Sequence, residues 1–112
     1  MFRRRSHDQR TMMYMVVQEI YKNLPHDAEI LTYKKINGSE IDFIIKHKNK
    51  LTPIVIGERN TASLPKVYEG FIKQYGKQTK KLYKTSFSIS ASNMYHKKEF
   101  HTLPYYLIGM VM

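Results

Sequence analysis

The first apolar residues of the chain recur at helical spacing. Met13, Val16, Val17, Ile20 and Leu24 repeat every three or four positions, and Pro25 closes the run. Ahead of them, Ser6-His7-Asp8-Gln9 has the form of a capping box, a Ser followed three residues later by Gln. The pattern predicts a helix over residues 8–23, with Glu19 bordering the apolar stripe. At Glu29 the period changes to that of strands. A β-rich stretch runs to Ile36, Asn37-Gly38 is a two-residue hairpin signal, and Glu40 to Ile45 reads as a second strand. Strict alternation puts Glu40, Asp42 and Ile44 on one face of it and Ile41, Phe43 and Ile45 on the other. His47-Lys48-Asn49-Lys50 is a polar turn into a third strand, Leu51 to Gly57, which completes an antiparallel meander.

Ser63 suits the cap of a second helix and Pro65 its first turn. Leu64, Val67, Phe71 and Tyr75 form its apolar stripe, and Gly76 is a stop signal. Beyond a basic linker, Thr85, Phe87 and Ile89 alternate with Lys84, Ser86, Ser88 and Ser90, which predicts a fourth strand. A helix between the third and fourth strands makes a right-handed crossover and parallel pairing the expected link. From Ser92 onward the chain reads as a polar connection and an aromatic packing tail, Pro104 to Ile108. The expected fold class is α/β, one domain over residues 1–112 with a mixed four-strand sheet and a flexible basic arm at residues 1–7.

At 112 residues and 42% apolar content, a single modest core is what the chain can bury. No apolar run approaches the ~18 residues that cross a bilayer. Arg3-Arg4-Arg5 leads into a polar stretch, unlike a secretory signal. A cytoplasmic location and no membrane partner are therefore expected. The absence of Cys removes disulfides, thiolate metal sites and a Cys nucleophile. The five histidines have no ligand spacing. A net charge of +10 favours a polyanionic partner, and nucleic acid is the one expected, DNA more than RNA, a preference that charge itself does not carry. Lys73 to Lys84 interleaves Tyr75 and Tyr83 with five lysines, a composition that stacks on bases and tracks phosphates, or else a packed pair of rings beside a solvated cationic face. Arg59, Lys73, Lys77, Lys80, Lys81 and Lys84 are the candidate nucleic-acid contacts.

Helix, three-strand meander, helix, strand is the αβββαβ order of the restriction-endonuclease-like, PD-(D/E)XK superfamily, a three-layer core. Within it, the chain resembles the nuclease-like C-terminal domain attached to many archaeal and bacterial P-loop ATPases. The matching stretches are Val17-Gln18-Glu19, Glu40-Ile41-Asp42-Phe43-Ile44, Pro53-Ile54-Val55-Ile56-Gly57 and Leu103-Pro104-Tyr105-Tyr106. Aligned on Pro53-Ile54, the family's Glu falls on Val55 and its Lys on Gly57. A second register sets Gly57-Glu58-Arg59-Asn60 against a GExK motif, which keeps the acid as Glu58 and puts Asn60 in place of the Lys. The first register agrees better with the Pro-Ile match and with the distance to the following helix. Both leave the motif incomplete.

In an active relative, the Asp and Glu carboxylates would hold Mg²⁺ or Mn²⁺ through oxygen ligands, and the metal would activate water. The resemblance therefore implies Asp42 and Glu58 as metal ligands and Asp42, Glu58 and Glu19 as the catalytic set, with Glu40 as a further supporting acid. Loss of one preorganised electrostatic group costs about 3–4 kcal/mol of transition-state stabilisation, near a thousandfold in rate. The expectation is a degenerate domain, inactive or weakly active, that keeps a basic face for nucleic acid. One alternative is an active nuclease in which Arg59 or Lys73 replaces the missing cation. Another is a protein-interaction module that forms a homodimer or meets a P-loop ATPase, with the tyrosine-rich tail in the interface. In the structural reading of Asp42, it is a sheet-edge carboxylate or an ion-pair partner.

Overall fold

Six strands form one mixed sheet in the order β1-β2-β3-β4-β6-β5. A computed structural model of the chain describes residues 7–34, 40–57, 61–86 and 88–111. Along it run α1 (His7–Asn23), β1 (Glu29–Lys34), β2 (Glu40–His47), β3 (Lys50–Ile56), α2 (Val67–Tyr75), β4 (Lys81–Ser86), β5 (Ala91–Tyr95) and β6 (Lys98–Pro104). A 3-10 turn, Gly76–Gln78, follows α2, and a 3-10 helix, Tyr105–Val111, follows β6. β1, β2 and β3 are the expected antiparallel meander, and β3 pairs parallel with β4. The Asn37-Gly38 turn and the Ser6 cap lie outside the described residues.

The sheet has six strands, not four. Residues after Ser90 form a hairpin, β5–β6, and β6 pairs parallel with β4. Its turn residues, His96 and Lys97, have φ of 46° and 65°. Two-residue hairpins need this left-handed backbone, usually from Asn or Gly, so His-Lys gave no turn signal. β4 also begins earlier than its alternation suggested, at Lys81 in the supposed linker. Its burial pattern explains why: every residue from Leu82 to Ser86 is buried. A central strand flanked by parallel neighbours is covered on both faces and loses the period of two.

Each face of the sheet carries its own core. Val16 and Ile20 of α1 pack with Ile45, Ile54, Ile56, Tyr83 and Ile108. Val67, Tyr68 and Phe71 of α2 pack with Ile41, Ile44, Leu51, Leu82 and Phe100 on the other side. The tail thus supplies Ile108 to the α1 layer, and Gly109 lets the chain approach α1 so closely that an added Cβ would lie 2.3 Å from Glu19 Oε2. Ile41 and Ile44 share a layer, contrary to strict alternation. Between Leu31 and Tyr33 the register of β1 on β2 slips, pairing Leu31 with Ile44 and Tyr33 with Ile41. The extra residue of β2 is a bulge, which resets the face on which side chains emerge.

The second helix starts later than Ser63 and Pro65 suggested. Lys66 occupies its N-cap with no side-chain cap bond, and Tyr68 N–H donates to Pro65 O at 3.1 Å. Phe71, with 1% of its surface exposed, sits edge-on to Tyr33 and tilted against Tyr75. Phe71→Ala is expected to cost about 3–5 kcal/mol, read as a lower urea midpoint at unchanged m-value.

Candidate functional site

β3, β4 and β6 run parallel, so Ile56, Ser86 and Pro104 mark one end of the sheet. In open α/β sheets the carboxyl ends of parallel strands are the usual place for a ligand. Asp42 reaches this end from β2. Pairing of β2 with β3 stops at Phe43 and Ile54, and the Asp42 carboxylate then accepts the Ile56 N–H at 2.8 Å. The side chain replaces the main-chain acceptor that the diverging strand no longer offers.

Beside Asp42 stand Val55 of β3 and Gly57 just past its end. Gly57 N–H is shared by the carbonyl of Thr85 at 3.2 Å and its hydroxyl at 3.3 Å. Val55 is in register with Lys84 of β4, and Lys84 with Thr102 of β6. Lys84 is 6% exposed, and its Nζ donates to Thr61 Oγ1 and to the Ser63 carbonyl, both at 3.0 Å. Burial pushes its pKa down from the ordinary lysine value. Ser63, read from sequence as a helix cap, instead anchors the β3–α2 loop to this ammonium. The Thr102 hydroxyl in the same row is buried without a hydrogen-bond partner. Tyr68 closes the group by donating to the Tyr83 carbonyl. Burial raises its phenol pKa well above the ordinary value, and the charge of Asp42 adds to the rise.

Other proposed site residues lie elsewhere. Glu19 packs against Gly109 in the α1 layer, and Glu40 is exposed at the start of β2. Glu58 and Arg59 fall outside the described residues. Among the described residues no three His, Asp or Glu side chains gather to hold a metal ion. The described neighbours of Asp42 do not fit one: the row beside it holds Val55, Gly57 and a buried ammonium, and Asp42 itself accepts a main-chain N–H. Lys84 is also separated from the other proposed phosphate contacts, because it is buried whereas Lys73, Lys77, Lys80 and Lys81 are exposed. Period-two reading of Lys84 as a polar member of the fourth strand could not show this, since β4 is interior.

A mixed α/β domain of this build defines the class, and the chain's family is narrower. Residues 13–107 match the profile of a domain of unknown function, DUF4143, and the chain belongs to that family. No curated protein matches it.

Lys84→Met should report the buried charge. A lysine whose folded pKa is depressed destabilises the fold while the buried group is protonated. That penalty is full below the folded pKa and fades as pH rises toward the unfolded value of 10.5. Urea melts at several pH values should therefore show the wild type gaining on Lys84→Met as pH climbs through that window. Asp42→Ala removes the acceptor of the Ile56 N–H and is expected to cost about 1–3 kcal/mol, with Asp42→Asn recovering part of it in the same assay.

Proposed function

We propose that this chain is a retired nuclease-fold domain of the PD-(D/E)XK type, catalytically weak or dead, whose remaining activity is binding nucleic acid. The observation that supports it is the local order around Asp42. The carboxylate stands at the end of β2 where a catalytic Asp would, but it accepts the Ile56 N–H. Val55 and Gly57 occupy the positions of the acid and the lysine in the better register. A buried ammonium, Lys84, fills the row next to Val55 and is held by the β3–α2 loop. The αβββα order followed by a parallel strand agrees with the same ancestry. The excess of positive charge supplies the binding half of the reading.

A second reading, an interaction module, draws on α1. Tyr14 and Tyr21 are 63% and 65% exposed and lie seven residues apart, on one face of the helix. Such a stripe would suit a second copy or a P-loop ATPase.

Cleavage of supercoiled, linear and single-stranded DNA with Mg²⁺ or Mn²⁺ tests the first reading against the rebuilt site of Asp42, Glu58 and Arg59. The expected outcome is no cleavage above that of Asp42→Ala and Glu58→Ala. Divalent-dependent cutting that either substitution abolishes would overturn it. Sedimentation equilibrium showing a dimer that fails to bind nucleic acid would favour the interaction module.

A further inference from the structure

The charge of this chain is not spread evenly over the sheet. Because β3, β4 and β6 are parallel, their amino ends share one rim, opposite the end that holds Asp42 and Lys84. Two hairpin tips project there. The β2–β3 tip carries Lys48 and Lys50, and the β5–β6 tip carries Lys97. Between them, the 3-10 turn and the start of β4 bring Lys77, Lys80 and Lys81 to the same rim, all exposed. The acids on this rim are few. Asp27 is bonded to His47 at 2.7 Å, Glu99 lies 3.4 Å from His101, and Glu29 pairs in register with Lys46.

The rim is also rigid. Lys48 and Asn49 have φ of 52° and 63°, and His96 and Lys97 have 46° and 65°. Both tips are therefore two-residue turns of the tight kind that match strand twist. Lys98 ties the β5–β6 hairpin to the end of α2, donating to the carbonyls of Gly76 and Thr79. Around this joint two open grooves of about 590 Å³ each are lined by Lys73, Lys77, Lys80, Lys97 and Lys98.

We infer that this rim, and not the end bearing Asp42, is a surface for the phosphate backbones of a nucleic-acid duplex. The inference rests on the nucleic-acid reading above and moves its location to the far end of the sheet. Three inter-strand steps separate the tips, about 14 Å at the usual strand spacing. That is close to the ~12 Å width of the B-DNA major groove, so each tip can meet one of the two backbones that flank a groove. From the rim to the Asp42 end is four residues along β4, about 13 Å. A duplex seated on the tips therefore does not reach Asp42.

The cations are lysines, point charges suited to phosphate, with no arginine fork for guanine among them. The surface should bind duplexes without regard to sequence. A lipid surface would ask for several apolar anchors beside the cations, whereas the turns offer Lys48, Asn49, His96 and Lys97 and the groove between them one exposed apolar side chain, Met94.

The test is binding of the full chain to two unrelated 20-base-pair DNA duplexes, to an RNA duplex and to anionic vesicles over a salt series. A rim variant combines Lys48→Asn, Lys97→Asn, Lys50→Gln and Lys80→Gln, since Asn tolerates the positive φ of the two turn positions. Thermal melts establish that it folds, and Asp42→Ala and Lys84→Met serve as variants of the other end. The expected result is loss of at least about tenfold in duplex affinity for the rim variant. Its slope of log affinity on log salt should become shallower by about 3–4, while both other variants bind as wild type. Equal loss with DNA and RNA would assign the contact to phosphate alone, and loss confined to one duplex would name the partner. Wild-type affinity in a folded rim variant would overturn the location and leave the nucleic-acid reading standing. No duplex binding by the wild type, or binding to vesicles alone, would overturn both.

Discussion

Burial of β4 on both faces is the constraint on which the rest of the structure depends. A strand between two parallel neighbours must give every main-chain group and every side chain a partner inside the protein. Leu82 and Tyr83 do this by packing into opposite layers. The Tyr83 carbonyl also receives the Tyr68 hydroxyl, and Thr85 receives the Gly57 N–H. Lys84 keeps only 6% of its surface exposed, and its ammonium bonds the β3–α2 loop through Thr61 and Ser63. A buried ammonium is tolerated only with such donors' partners in place. One strand thus fixes where α2 starts, where β3 ends and what surrounds Asp42.

The same strand divides the molecule's electrostatics. Its carboxyl end is buried and holds one ammonium under cover, two strands away from a carboxylate that accepts a main-chain N–H. Its amino end opens onto a rim of exposed lysines fed by two hairpins. The described end that holds Asp42 and the rim of exposed lysines are therefore at opposite ends of one sheet.

Much of this was legible in the residues. α1 was read within a residue of its observed start and at its observed end, because Val16, Val17 and Ile20 form a long periodic stripe and Pro25 stops it. The meander followed from two apolar runs across a polar turn, and Phe43, Ile44 and Ile45 do face Ile54, Pro53 and Thr52. Asp42 drew notice through its acidic-apolar context, and its bond to the Ile56 N–H is what the fold adds. The β5–β6 hairpin was missed because His96-Lys97 is a poor written signal for a left-handed turn, although its backbone is that of a tight hairpin.

By itself, the sequence determined the elements whose signal is local: an amphipathic helix, strands of Ile, Val and Phe, and a net charge of +10. These depend on neighbours within a few residues, so a linear reading reaches them. Tertiary structure alone decided which lysine is buried and which are exposed, since Lys81 and Lys84 look alike in the chain but lie at opposite ends of an interior strand. It also decided that Ile41 and Ile44 share a layer, through a bulge that no periodicity encodes. Both outcomes follow from strand pairing between residues distant in sequence, and pairing sets which side of the sheet, and which end, each side chain meets.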